Sequence, residues 1–532
     1  MNYKKSLELN ACNTNALEKL EEIKKAIKMK ILKLMLSCWI ILATANAFSQ
    51  EIFPAVMNGN IERVKILINE YPECVNATSW GGWTPLHRAS QFGYPDIVDL
   101  LILKGSNLEA NTTEGYTPLY AAIIGQQVNV VKQLIDKGAN VFAVRSDGES
   151  LLHIASALGQ EDIVDVLISS GLEIDVAKRY GVTPLHLASV FGHVATVELL
   201  LKYGAEINRK NDNGSTALNL ANAAGEKEIV SLLKEKGASE GPEEYIDITG
   251  KYLGQKRPGL TPEPFAPGIL LNTHRPHGSI AFSPDGKEIY WSAALDFGQF
   301  QKIWMMSQHK GRWSRPRAVS FPEPYIYGGP AITAGGERFF FDVLKPAEAD
   351  GQNPDHDIWF REKETHGWGE VIKPGPPLNS DRSSLGPSVS RNGNVYFLSF
   401  NMEGGFGSVD IYRSRRTKEG YMKPENLGAA INTQFMDTSP FIAPDESYLI
   451  FSSMRPDGYG DFDLYLSYKK KDGTWTKAKN MGEMINTAAR ESNPVVSPDG
   501  KYLFFISRRS GIGEIFWVDA KIITCPEVVP AI

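Results

Sequence analysis

The sequence has little cysteine, four residues in 532. Cys12 and Cys38 fall within the first 50 residues, which leaves Cys74 and Cys525 far apart in the chain. That excludes a disulfide-stapled scaffold, so stability has to come from packing, and the pair reads as two buried thiols rather than a bridge. Charge of one sign is also scarce. The net charge is −6, and residues 1–50 hold eight Lys and four Glu (+4), so the remainder sums to −6 − 4 = −10. A mildly acidic body excludes nucleic acid as a partner, because phosphate binding needs a basic footprint. No Walker loop and no strand-borne GxGxxG is present, which removes phosphate chemistry. The single GxSxG match, Gly237-Ala238-Ser239-Glu240-Gly241, has neither the strand before it nor the helix after it that a nucleophile elbow requires.

What is present begins with a targeting segment. Lys28, Lys30 and Lys33 precede an apolar run from Leu34 to Ala43, followed by the small residues of Ala45-Asn46-Ala47. This is the layout of a secretory signal peptide over residues 29–50, cleaved within residues 47–50. The run is shorter than the roughly 20 residues of a membrane span. Most of it follows Cys38, which disfavours a lipoprotein site there. Residues 1–28 are too long and charged for an n-region, so translation is expected to start at Met29. The mature protein is expected outside the cytoplasm, in the periplasm or secreted from a bacterial cell.

A glycine then recurs every 33 residues, at Gly82, Gly115, Gly148, Gly181 and Gly214. Behind it come Thr84-Pro85-Leu86-His87, Thr117-Pro118-Leu119-Tyr120, Ser150-Leu151-Leu152-His153, Thr183-Pro184-Leu185-His186 and Thr216-Ala217-Leu218-Asn219. Thr or Ser caps a helix whose first turn tolerates Pro. Leu185 and Ala188, then Val197, Leu200 and Leu201, fall on buried helical stripes. Period and tetrapeptide together resemble ankyrin repeats, with residues 51–238 forming an α-solenoid that shares one continuous core. Asn58-Gly59 to Glu70 reads as the second half of a degenerate first repeat. Asn219 with Glu226-Lys227-Glu228 reads as the polar C-terminal cap.

At residue 239 the composition turns to Pro, Gly and aromatics, marking a linker over 239–248. A looser repeat follows over 249–525, with a tail at 526–532. Its turns are Ser283-Pro284-Asp285-Gly286, Thr333-Ala334-Gly335-Gly336, Ser390-Arg391-Asn392-Gly393, Ala443-Pro444-Asp445-Glu446 and Ser497-Pro498-Asp499-Gly500. Each precedes an apolar-aromatic strand, then a second strand opening on Lys302-Ile303-Trp304, Asp357-Ile358-Trp359, Asp410-Ile411-Tyr412, Asp463-Leu464-Tyr465 or Glu514-Ile515-Phe516. The pattern resembles the WD-like repeats of the Tol-system periplasmic propeller protein. The fold class is therefore multidomain α plus all-β, an ankyrin solenoid followed by a five-bladed β-propeller, with six blades the alternative. Gly250–Gly254 with its Pro-rich continuation is expected to close the ring beside Ile515-Phe516-Trp517-Val518.

Recurrence decides most candidate sites. His87, His153 and His186 share one repeat position and read as helix-packing residues bonded to loop backbone. The strand-opening acids Asp357, Asp410, Asp463 and Glu514 likewise recur at one blade position, with Lys302 departing from the pattern in the first unit, so they read as structural. His274-Arg275-Pro276-His277 has the spacing of a two-ligand metal clip without a third ligand. Arg455-Pro456-Asp457-Gly458-Tyr459-Gly460-Asp461 could hold calcium, but reads as a solvated loop. Asp296, Asp342 and Asp437 imitate the axial carboxylates of five-bladed glycosidases without a context that singles them out. No catalytic residue, metal or cofactor is expected.

Resemblance to ankyrin repeats implies partner binding on the concave face, built from hairpin tips and first helices. There stand Trp80, Trp83, Arg88, Gln91, Phe92, Tyr116, Arg145, Lys178, Arg179, Tyr180 and Phe191. Aromatics beside Arg are the composition of interface hot spots, although Trp83 and Phe92 could equally pack between repeats. The expected function is a non-catalytic scaffold for a protein partner of the cell envelope, with the propeller as second platform. The alternative is a glycan-binding or glycan-cleaving propeller, which requires unique carboxylates or aromatics converging on its axis.

Overall fold

The computed structural model describes residues 51–239, 245–270, 275–294, 301–321, 325–345, 355–365, 367–379, 383–511 and 513–524. The extension and signal segment, Cys38, Cys525, His274, Asp296 and the tail lie outside the described residues. No helix among those described is long and apolar enough to cross a membrane. The chain divides into two compact units between Ala143 and Val144.

The first unit is built from helix pairs: α1 (Ile52–Met57) with α2 (Ile61–Glu70), α3 (Pro85–Phe92) with α4 (Pro95–Leu103), and α5 (Pro118–Ile124) with α6 (Val128–Asp136). Val64, Leu67 and Ile68 of α2 are buried. The degenerate first repeat is thus complete, its opening helix α1 lacking the tetrapeptide that marks the others. Thr84 and Thr117 cap α3 and α5 through their side chains. The recurring glycine stands at a left-handed φ in every copy, 76° at Gly82 and 80° at Gly115, where a β-carbon would be strained. Cys74 is buried as a free thiol, and burial pushes its pKa up to about 11.

The second unit opens with three more pairs: α7 (Leu151–Ala157) with α8 (Glu161–Ser169), α9 (Pro184–Val190) with α10 (Val194–Lys202), and α11 (Ala217–Ala224) with α12 (Lys227–Glu235). Five sheets follow. The first joins Arg275–Phe282, Glu288–Ala294, Lys302–His309 and Arg312–Ser314, and Tyr245–Thr249, from the end of the linker, pairs with Arg312–Ser314. The second is Ile326–Ile332, Arg338–Lys345, Asp355–Glu364 and Gly367–Ile372. The third and fourth run Ser384–Val389 to Glu425–Asn426 and Asp437–Ile442 to Lys479–Asn480. The fifth holds Glu491–Val496, Tyr502–Ser507 and Glu514–Asp519.

The first strand of each sheet neighbours the first strand of the next, and the fifth returns to the first. This is a five-bladed β-propeller. Apolar residues fill the gap between each pair of blades, as Phe339 and Phe341 do beside Tyr290 and Leu503 and Phe505 beside Ile450. Ring closure comes from Glu263–Pro264, which pairs with Trp517 and Phe516 and supplies the fourth strand of blade five. The closing residues lie in the Pro-rich continuation of Gly250–Gly254. That earlier stretch forms a 3-10 turn instead and buries Tyr252 against Tyr502 and Trp517.

The inner strands of blades two to five each break register near their middle. Gly329, Gly386, Ser439 and Asn493 take positive φ there, between 50° and 59°. Pro330, Pro387, Pro440 and Pro494 follow directly. Proline cannot donate to a ladder, and the bulge is where a strand tolerates it. These bulges repeat around the axis and shape its wall.

Candidate interaction surfaces

The repeat histidines are part of the array's frame. Thr84 N–H donates to His87 Nδ1 (3.1 Å), so Nδ1 is the acceptor and Nε2–H points to the Tyr116 carbonyl at 2.8 Å. His153 joins Ser150 N–H to the Val182 carbonyl in the same way, and His186 joins Thr183 N–H to the Ser215 carbonyl. Burial pushes all three down to about 4. At the other copies Tyr120 receives its cap from Thr117, and the Asn219 amide oxygen accepts from Thr216 N–H.

The concave-face residues separate by unit. In the first, Trp83 is buried with its ring beneath the Arg88 guanidinium, 4.1 Å from the ring centre. Arg88 donates to the Gln91 side chain at 2.9 Å. Phe92 remains 41% exposed, stacked on Tyr94. Tyr116 is buried, stacked on Tyr120 with its hydroxyl on Glu114. Trp80 contributes backbone to the hairpin turn Trp80–Gly82. The half-buried Arg88 and Gln91 with exposed Phe92 make a compact amphipathic patch on α3.

In the second unit the same face meets the propeller. Arg145 is buried beside Glu149 (3.4 Å), which also takes Lys178 at 2.6 Å. Tyr180 donates to the Glu514 carboxylate (3.2 Å), and Arg179 lies 3.5 Å from it. Burial and the Glu514 charge raise the Tyr180 pKa. Phe191 is buried in a cluster that runs without interruption from Val182, Leu187 and Leu220 of the array to Trp291, Trp304, Ile515 and Trp517 of the blades. Arg315 donates to the Asn213 carbonyl and the Ser215 hydroxyl at 3.2 and 3.1 Å. Asn213 in turn donates its side-chain amide to the Gly268 carbonyl. Lys302 pairs with Glu226 at 2.6 Å.

Within the blades the recurring acids close their own loops. Asp410 accepts from Phe406 and Gly407 N–H at 2.6 and 3.2 Å, and Asp463 from Tyr459 and Gly460 N–H at 2.5 and 3.2 Å. The Arg455–Asp461 loop is thereby folded around a strand residue. Asn379, Asn432 and Asn486 each bond both the N–H and the carbonyl of one strand residue, Ile358, Ile411 and Leu464 respectively. The signal for these latches in the sequence is Leu378-Asn379-Ser380, Ile431-Asn432-Thr433 and Ile485-Asn486-Thr487, which repeat at blade spacing.

The axis carries a cavity of about 220 Å³, walled by Ser279, Ala331, Pro387, Pro440, Pro494 and their neighbours. Arg391 is the charged side chain among its lining residues. Asp342 pairs in register with Gly328, outside the cavity lining, accepts from Gly386 N–H of the next blade at 3.3 Å, and is pushed up to about 6 by burial. Asp437 is tied to Thr433 and Arg455 within its own blade. The carboxylates weighed for glycan chemistry that are described therefore do not line the cavity, which is walled by recurring small and apolar residues. Among the described residues, three or more His, Cys, Asp or Glu do not gather as a metal-binding group.

Fold and surfaces define a repeat-built protein, an ankyrin-repeat array joined to a five-bladed propeller. The ankyrin-repeats family matches in three copies, over residues 30–112, 101–178 and 152–243. Over 60 residues, 11% of this chain, the sequence is 42% identical to human protein phosphatase 1 regulatory subunit 27, covering 38% of that protein. The mouse protein of the same name is 45% identical over 56 residues, 10% of this chain and 36% of the relative. The chain thus spans well under half the length of these curated relatives.

Proposed function

We propose that this chain is an exported, non-catalytic interaction scaffold of the cell envelope. An outside protein partner docks on the concave face of the ankyrin repeats, and the propeller offers a second platform. The α3 patch carries this reading: a solvent-facing phenyl ring beside a guanidinium braced over Trp83 is the pairing that anchors protein interfaces. The relatives' names, which are those of regulatory subunits, support binding over catalysis. Export rests on the Lys-rich, apolar and small-residue order of residues 28–50.

The test is crosslinking capture from the envelope fraction with the full chain and an Arg88→Ala/Phe92→Ala variant. The variant is expected to lower recovery of a specific partner at least tenfold, as loss of hot-spot side chains does. Equal recovery from both proteins sinks the concave-face assignment. A precursor recovered only from the cytoplasm, with residues 29–50 attached, sinks export.

A further inference from the structure

The five blades share one position at the start of the third strand, occupied by Lys302, Asp357, Asp410, Asp463 and Glu514. Asp410 and Asp463 spend that carboxylate on the two backbone N–H groups of the loop just before them. Two members of the set do something else. Glu514 is one methylene longer and is buried, taking Ser510 from its own loop and Tyr180 and Arg179 from the fourth repeat. Lys302 has the opposite charge and reaches Glu226 and the Ala224 carbonyl of the last repeat. Blades five and one, which hold these two side chains, are also the blades whose Trp517, Ile515, Trp291 and Trp304 share a core with Phe191, Leu187 and Leu220.

We propose that the resident occupant of the concave face of the last three repeats is the chain's own propeller, with Glu514 and Lys302 as the clamp that fixes which blades dock. This goes beyond an outside partner on α3, because it assigns Arg179, Tyr180 and Phe191 to an internal partner. The signs enforce register. Turning the ring by one blade would set Lys302 against Arg179 and Asp357 against Glu226, or else Glu514 against Glu226. Each misfit pairs like charges beside a desolvated apolar patch, which is how interfaces reject wrong partners. The propeller therefore takes one seat out of five.

Glu514→Asp in the full chain isolates the clamp. The shorter carboxylate keeps the charge and can close its own loop as Asp410 does, while losing reach to Arg179 and Tyr180. Amide exchange is expected to rise roughly three- to tenfold across the hairpin Lys178–Val182, the size of effect a lost charged hydrogen bond gives. Exchange in strand Glu514–Asp519 should stay unchanged. Lys302→Glu should speed exchange in α12 and adding Glu226→Lys should restore it. Unchanged hairpin and α12 protection in both Glu514→Asp and Lys302→Glu overturns the clamp. So does an Arg179→Ala chain that loses its outside partner with exchange unaltered. A failure of Arg88→Ala/Phe92→Ala to affect capture would leave these exchange results untouched, so the two ideas fall separately.

Discussion

At the scale of single residues, the repeat histidines show how a recurrent polar group can be structural and still titrate. Each accepts one backbone N–H and faces a carbonyl of the following repeat, which leaves no room for a second proton. Their folded pKa of about 4 lies below the ordinary 6.5. The unfolded chain therefore takes up protons first as pH falls. The stabilisation is complete above about 6.5, declines between about 6.5 and about 4, and is lost below that. Melting temperature measured from pH 7.5 to 4 should fall through that window, and a His153→Ala variant should show a shallower fall. That variant loses the ring's buried hydrogen bonds to Ser150 N–H, the Ser150 hydroxyl and the Val182 carbonyl, and is expected to be less stable by about 2–4 kcal/mol in denaturant titration at pH 7.5.

At the scale of elements, the asparagine latches hold the blades where short strands cannot. Glu425–Asn426 and Lys479–Asn480 are only two residues long. Asn432 and Asn486 take over beside them by satisfying both polar groups of Ile411 and Leu464. Truncating either to Ala strands two buried backbone groups, so Asn432→Ala and Asn486→Ala should each lower unfolding free energy by about 2–4 kcal/mol. A double variant should be additive, because each latch serves its own blade. Additivity failing by more than about 1 kcal/mol would mean that the blades share the latches.

Much of this was legible in the sequence because repetition multiplies weak signals. Five glycines in register announced the repeat, and Thr or Ser before each helix announced its cap. Five aromatic strands announced five blades. The opening helix Ile52–Met57 was illegible because it lacks the tetrapeptide. Closure was legible in kind but displaced in place: the turn at Tyr252–Leu253 takes positive φ at both residues, so that stretch cannot run as a strand. Trp83 and Tyr116 look the same in sequence as Phe92, and only packing separates the buried rings from the exposed one. Lys302 appeared as a flaw in the blade pattern, and its meaning needed Glu226 placed across from it.

At the scale of the whole chain, the array and the ring obey different rules. Repeats contact their neighbours, so a solenoid gains stability locally. The propeller's fifth blade joins residues from opposite ends of the blade region, with Phe265 wedged between Phe504 and Trp517 at about 5 Å from each. Phe265→Ala should cost about 3–5 kcal/mol, read as a lower denaturant midpoint for the ring. An unfolding free energy within about 1 kcal/mol of the parent would show that the closing pair contributes little.

The splice at Glu263–Pro264 also sets a timetable. The first helix pairs can settle as soon as they leave the ribosome, since each packs on pairs that have already emerged. The ring has to wait with an open flank until its final strand arrives, exposing unpaired backbone edges to other nascent chains all that while. A chain truncated before Glu514 would carry that open flank permanently, with Glu263–Pro264 and Tyr502–Ser507 both left without the strand that joins them.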